Sequence, residues 1–203
     1  MPRGRMTGRM FARFGALLRS FGRARSGAAV VEFALIMPLL LMLYFGSVEA
    51  SSLYTVDRRV TIISGTIGDL VAQWNPDGGA ISQATINDYF DAAQTIMTPY
   101  DATGLAQVVS FVAVNASGVT KVLWSKATGG GQARATGSSF PLDAGSQMNV
   151  IARNGGFFVA SEASISYTPV LGLVFQNALL LSHTSYFLPR FAECIQVSGS
   201  ACS

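Results

Sequence analysis

Three hydrophobic rhythms follow one another along the chain. From Ala28 to Val48 nearly every position is apolar; Phe33 to Phe45 is interrupted only by Pro38, and Glu32 is the single charged side chain. About 20 such residues match a hydrocarbon core of roughly 30 Å, so this stretch predicts a membrane-spanning helix. Beyond it the apolar positions thin to every third or fourth residue. Leu53, Val56, Val60, Ile63, Ile67, Leu70 and Trp74 fall on one helical stripe, with Asp57, Arg58, Ser64 and Asp69 mostly elsewhere around the barrel. If continuous, residues 28–74 make a rod about 70 Å long at roughly 1.5 Å per residue. Gly65 and Gly68 each weaken it by about 1 kcal/mol relative to alanine, which favours a bend there. The stripe suits core packing, with a partner groove as the alternative.

Asn75-Pro76-Asp77-Gly78-Gly79 is a dense turn signal that ends this helix. A second helix is predicted to start with Ser82 as its cap, to carry Ile86, Phe90, Ala93 and Met97 on one face, and to stop before Pro99. The period then changes to two. "LAQVVSFVAV", the turn "NASG" and "VTKVLWSK" read as a hairpin; "MNVIAR", the turn "NGG" and "FFVASEASISY" read as another. In the last of these strands Phe157, Val159, Ala163, Ile165 and Tyr167 share a face, with Glu162 and Ser164 on the opposite one. A strand around "LLLSHTSYF" completes a mostly antiparallel sheet of about four or five strands. Residues 126–139, "KATGGGQARATGSS", have the composition of a flexible surface loop. The fold class is α+β: a long N-terminal transmembrane helix, a second helix and the sheet.

Charge changes the picture only at the front. The first 27 residues hold seven arginines and no acid; with 14 basic and 11 acidic residues in the whole chain, the remainder from Ala28 onward carries about −4. The exported part therefore lacks the clustered basic face of a nucleic-acid binder, and no nucleic-acid partner is expected. The arginine-rich flank stays on the cytoplasmic side by the positive-inside tendency, which sends the residues after Glu49 across the membrane.

Three kinds of leader share this layout. A secretory signal would be cut after the small-x-small triplet Val48-Glu49-Ala50. An organelle transit peptide also favours arginine, although a spanning segment follows here. The third kind is cut before the apolar run, and Gly27, Ala28-Ala29-Val30-Val31 and Glu32-Phe33 carry it. These residues resemble the type IV prepilin processing motif, in which a peptidase cuts after glycine and an acid occupies the fifth mature position. The continuation "GAAVVEFALIMPLLLMLYFGSVEASSLY", with "VDRRVTIISGTIGDLVAQ" and "SYTPVLGLVF" followed by "LLLSHTSYFLPRFAECI", is similar to the TadE-like pseudopilins of the tight-adherence (Tad/Flp) type IV pilus system.

The resemblance implies a minor pilin or pseudopilin with a pilin-like fold, cleaved between Gly27 and Ala28, that takes part in assembling or priming a surface-adhesion pilus. Its implied partners are the prepilin peptidase, other pilins or pseudopilins, the pilus assembly platform and the bacterial inner membrane. The C-terminal domain would lie in the periplasm, with a place in an extracellular pilus. The implied division is a basic leader over 1–27, a transmembrane helix over 28–50, its amphipathic continuation over 51–74 and an exported α+β domain over 75–203.

A carboxylate at the bilayer centre costs about 2.5 to 3.5 kcal/mol on insertion scales, so Glu32 needs a partner or a purpose. Cleavage would free an α-amino group on Ala28, and Glu32 of one subunit could pair with that amine on a neighbour, cancelling two charges that are each costly to desolvate. Alternatively, Glu32 snorkels to the interface or suits the helix N-terminus through the dipole. Pro38 lacks a backbone N–H and crowds the carbonyl of Ala34, which predicts a local kink.

Cys194 and Cys202 are the only cysteines, and in an exported domain an even count at short spacing reads as a disulfide. Closing so short a loop stabilises by about 2.5 kcal/mol on the chain-entropy estimate. Similar disulfide-closed C-terminal loops occur in many pilins. Two thiols and the distant His183 make a poor metal set, so neither a metal nor another cofactor is predicted. His183 is the sole histidine, with no acid beside it in sequence to orient the ring, and reads as a packed or edge-strand residue. Asp88 and Asp91, three apart, could pair as acids but read as the wet face of the second helix, and Asn115-Ala116-Ser117 matches a glycosylation acceptor but reads as a hairpin turn. The chain is not expected to be an enzyme. The competing reading is an exported soluble binding protein or enzyme, released by signal peptidase near Ala50.

Overall fold

The computed structural model describes residues 26–142, 156–169, 172, 176–191 and 194–199. The chain divides into two compact units, Met1–Val48 and Glu49–Ser203. Helix α1, Ser26–Ala72, begins in the first and ends in the second.

In the first unit, every residue of α1 from Gly27 to Tyr44 is exposed. The exposed side chains include Val30, Phe33, Leu35, Leu39 and Met42, and Leu35 reaches 76 %. An apolar helix that is exposed on all sides among the described residues suits lipid rather than water. Its length and composition are sufficient to cross a membrane. Pro38 lies within it.

The second unit is built on a four-stranded antiparallel sheet among the described residues, in the order β2-β1-β3-β4. The strands are β1 (Ala106–Val114), β2 (Thr120–Thr128), β3 (Gly156–Tyr167) and β4 (Leu179–Phe187). The β1–β2 turn forms as the sequence predicts: the Asn115 side-chain oxygen accepts the N–H groups of Ser117 and Val119, and Gly118 takes φ +79°. The β1–β2 register slips between Phe111↔Trp124 and Val112↔Val122, leaving Leu123 as a bulge. Both Leu123 and Trp124 thereby reach the main core. β3 pairs with β1 over Gly156–Ser164 and with β4 over Val159–Tyr167. It is thus a central strand; the hairpin arm expected at 148–153 lies outside the described residues.

The main core lies between one face of this sheet and the helices. Val56, Val60, Ile63 and Ile67 of the predicted stripe are buried there with Val71. They meet Val109 and Phe111 of β1 and Val159, Ala163 and Ile165 of β3, with Phe157 and Tyr167 packed at the margin. Phe111 stacks between Trp124 and Phe157, with ring centroids 5.9 and 5.5 Å away. Helix α2, Gln83–Gln94, starts as predicted: the Thr85 N–H donates to the Ser82 hydroxyl at 3.0 Å. It buries Ile86, Phe90 and Ala93, and a short 3₁₀ turn, Thr95–Met97, carries Met97 inward.

Residues 126–139 depart from the flexible-loop expectation. Lys126 to Thr128 finish β2, and the chain then returns along that strand, with the Gly137 N–H on the Val122 carbonyl at 2.7 Å and the Val122 N–H on the Ser138 carbonyl at 2.9 Å. Phe140 then joins Phe158, Ala160, Val112, Val114 and Val122 in a second small core. Arg134 pairs with Glu162 at 2.6 Å and covers the Phe140 ring. The glycines serve close approach: a Cβ on Gly129 would lie 1.8 Å from the Leu105 carbonyl oxygen.

Candidate functional site: the membrane helix and its anchorage

The sequence-predicted processing residues sit on the first turns of α1. Gly27 is exposed, and a Cβ there would meet no atom within 4 Å. Ala28 and Glu32 are four residues apart in one helix and therefore share a face, one turn from each other. Glu32 is exposed among exposed Val31, Phe33 and Ile36, so its carboxylate stands on a surface otherwise fit for hydrocarbon. Such a group is stable in lipid only near the interface or opposite a compensating charge.

Within the second unit, α1 is held to the sheet by polar contacts as well as by its apolar stripe. Asp57 Oδ1 lies 2.7 Å from His183 Nε2, the Ser64 and Ser185 hydroxyls are 2.9 Å apart, and the Arg190 guanidinium donates to Asp69. His183 and Ser185 share a face of β4 because they are two apart, and Asp57 and Ser64 are two helical turns apart. The Arg190 backbone N–H also donates to the Ala72 carbonyl at 3.0 Å, supplying one of the orphan carbonyls at the helix end. On another side Arg59 donates to the carbonyls of Ile96 and of Thr98 and lies over the Tyr100 ring.

The sequence left His183 without an acid; α1 brings Asp57 to it across 126 residues. Both partners are about a third exposed, which places the pair among salt bridges worth about 0–1 kcal/mol. Its value is in fixing where the helix lies, since Ser64 and Ser185 repeat the contact two turns further along. Ser64, which the spacing puts off the apolar stripe, is fully buried. Gly68 is buried as well: a Cβ there would fall 2.5 Å from the Phe187 ring and 3.1 Å from Ser161 Cβ. α1 remains helical through both glycines, so Gly68 admits the ring of Phe187 rather than marking a break. Short side chains at helical spacing were the available signal, but their partners lie more than a hundred residues away.

The C-terminal segment enters the same core. Ile81 and Val197 form a parallel bridge, Ile195 and Val197 are buried, and the Trp124 indole N–H donates to the Ile195 carbonyl at 2.7 Å. Cys194 is half-buried and lines a small cavity of about 220 Å³ with Trp74, Gly79, Ala80 and Gln196. Cys202 lies outside the described residues. Burial raises the Tyr167 phenol above its ordinary pKa, with smaller contributions from Tyr100 and Glu49, and burial also raises that of Tyr89. Among the described residues, no three His, Cys, Asp or Glu side chains gather as a metal site.

An apolar helix exposed on all sides, followed by a helix half clamped onto an antiparallel sheet, defines a membrane-associated α+β protein. Residues 27–62 match the model of the family described as TadE-like protein, the family whose motifs the sequence resembles. The match opens on Gly27 and includes Glu32, Pro38, Asp57 and Arg59. No curated protein and no solved structure matches the chain.

Proposed function

We propose that the chain is a prepilin cut between Gly27 and Ala28, after which Glu32 meets the freed N-terminal amine of a neighbouring subunit as the helix enters a Tad pilus or its assembly platform. The observation that carries this reading is the family match opening on Gly27, on a helix whose exposed apolar surface bears one carboxylate, Glu32. A carboxylate and an amine that meet in lipid each remove the other's desolvation cost, so the pair sets register more than it adds stability. Pro38 bends the span locally, the unit beginning at Glu49 lies in the periplasm, and Cys194 is bridged to Cys202. The protein acts as a structural component, not an enzyme.

Release by signal peptidase near Ala50 fits less well. A cut there would remove Gly27 to Ala50, most of the 27–62 stretch that matches the family model, and with it Glu32. The test of the assembly step is Glu32→Ala in a host that makes the pilus. Processing and membrane insertion are expected to continue while cross-linking to other pilus subunits is lost; wild-type cross-linking in the variant would remove the pairing from the account.

A further inference from the structure

The second unit holds an open cleft of about 280 Å³ between α1, the segment after α2 and the end of β3. We propose that it binds a neutral saccharide of one or two rings. The inference stands apart from the reading of processing and assembly.

The volume lies at the small end of ligand pockets, the scale of a sugar ring rather than of a nucleotide or a folded peptide. Val56, Met97 and Ile165 contribute apolar surface. Around them stand two half-exposed tyrosines, Tyr100 and Tyr167, the carboxylate of Asp101, and the hydroxyls of Thr103, Ser166 and Thr168. A saccharide presents an apolar C–H face and a rim of hydroxyls. Tyrosine rings suit the first, and a carboxylate with neighbouring hydroxyls suits the second, because a carboxylate accepts two hydrogen bonds at once.

Asp101 is held for that work. Its Oδ1 accepts the Thr103 N–H at 2.8 Å. Hydrogen bonds from the Thr103 side chain and backbone keep its pKa below the usual carboxylate range, which favours the ionised, hydrogen-bond-accepting form. Among the described residues no cationic side chain lines the cleft, which disfavours phosphates and other anions. Arg59 on α1 is committed to two backbone carbonyls and to the Tyr100 ring. A basic peptide is the competing occupant. Asp101 is the one acid lining the cleft among the described residues, so a basic peptide would find a single, water-screened ion pair there, whereas a sugar face against the Tyr167 ring does not depend on charge.

The experiment uses the full chain in a detergent without a sugar headgroup and saturation-transfer NMR against glucose, N-acetylglucosamine and its β-1,4 disaccharide at millimolar concentration, with a lysine-rich peptide as competitor. Saturation is expected on the ring C–H protons of at least one saccharide, and Asp101→Asn, which can keep the turn to Thr103, should weaken that binding about threefold, the effect of one water-exposed hydrogen bond. Tyr167→Ala should abolish it; Asp101→Asn carries the test if Tyr167→Ala fails to fold. The proposal is overturned by no transfer to any of the three sugars, by transfer that both variants retain, or by binding of the peptide alone.

Discussion

Replacing Gly68 by alanine puts a methyl group where the ring of Phe187 already lies. The new Cβ would sit 2.5 and 2.6 Å from two ring carbons and 3.1 Å from the Cβ of Ser161. The ring can rotate or shift, but Ser161 belongs to the central strand β3 and is fully buried, so only one side of the clash can yield. Overpacking of this kind costs about 1–3 kcal/mol. Against it stands the gain of about 1 kcal/mol from alanine over glycine in a helix. Gly65, three residues earlier in the same helix, provides the control, because a Cβ there meets nothing within 4 Å. Gly65→Ala should therefore stabilise by about 1 kcal/mol on the same propensity argument. Gly68→Ala should be neutral to destabilising by about 2 kcal/mol, leaving a gap between the two variants equal to the overpacking cost, about 1–3 kcal/mol. Urea unfolding of the detergent-solubilised chain, followed by Trp fluorescence, measures both; Trp124 is 3 % exposed and reports on the core. Equal stabilisation by the two alanines would show that α1 does not lie against Phe187 as described. Phe187→Leu in the Gly68→Ala background should recover part of the loss.

Other consequences are open to direct measurement. Ser82→Ala removes the side-chain cap of α2 and should cost about 1 kcal/mol, whereas Ser82→Asp should restore most of it; urea midpoints decide. A double-mutant cycle on Asp57→Ala and His183→Ala should return a coupling of about 0.2–1 kcal/mol, as for exposed pairs; a value near 3 kcal/mol would mean the contact is far less solvated than its exposure indicates. In alkaline titration followed at 295 nm, Tyr89 and Tyr167 should ionise later in the folded protein than after denaturation, and Tyr167→Phe should remove one of the late steps. The sign for stability follows from proton binding. Above about pH 10 the unfolded chain has released these protons while the folded chain retains them, so stability should fall as pH rises through the folded values. Folded and denatured titrations that coincide would contradict the burial of both phenols.

What the sequence disclosed and what it hid separate by range. The apolar run, the stripe from Val56 to Ile67, the Ser82 cap and the hairpin around Asn115 each depend on residues within a turn or two, and each formed close to its predicted limits. Partners chosen across the chain left no local trace. β3 reads as well as a hairpin arm as it does as the centre of a sheet, because alternation records a strand's faces and not its neighbours. The glycines at 129–131 looked like slack. Gly129 and Gly131 instead allow the chain to pass within contact of β1, a constraint visible only once that strand is beside them. The candidate site divides in the same way. Gly27, Ala28 and Glu32 are legible as a contiguous motif, but the Asp57–His183 and Ser64–Ser185 contacts that fix the helix join residues 126 and 121 positions apart.

The central claim is that a carboxylate is tolerated on a lipid-facing helix because proteolysis next to it creates a positive mate. The most direct measurement is the N-terminal residue of the mature protein, by intact mass and terminal sequencing of material isolated from its own host. The account predicts a chain that begins at Ala28 and retains the apolar half of α1. A chain beginning at Met1 would leave Glu32 without that amine, and one beginning at Ser51 would lack the helix altogether; either result contradicts it.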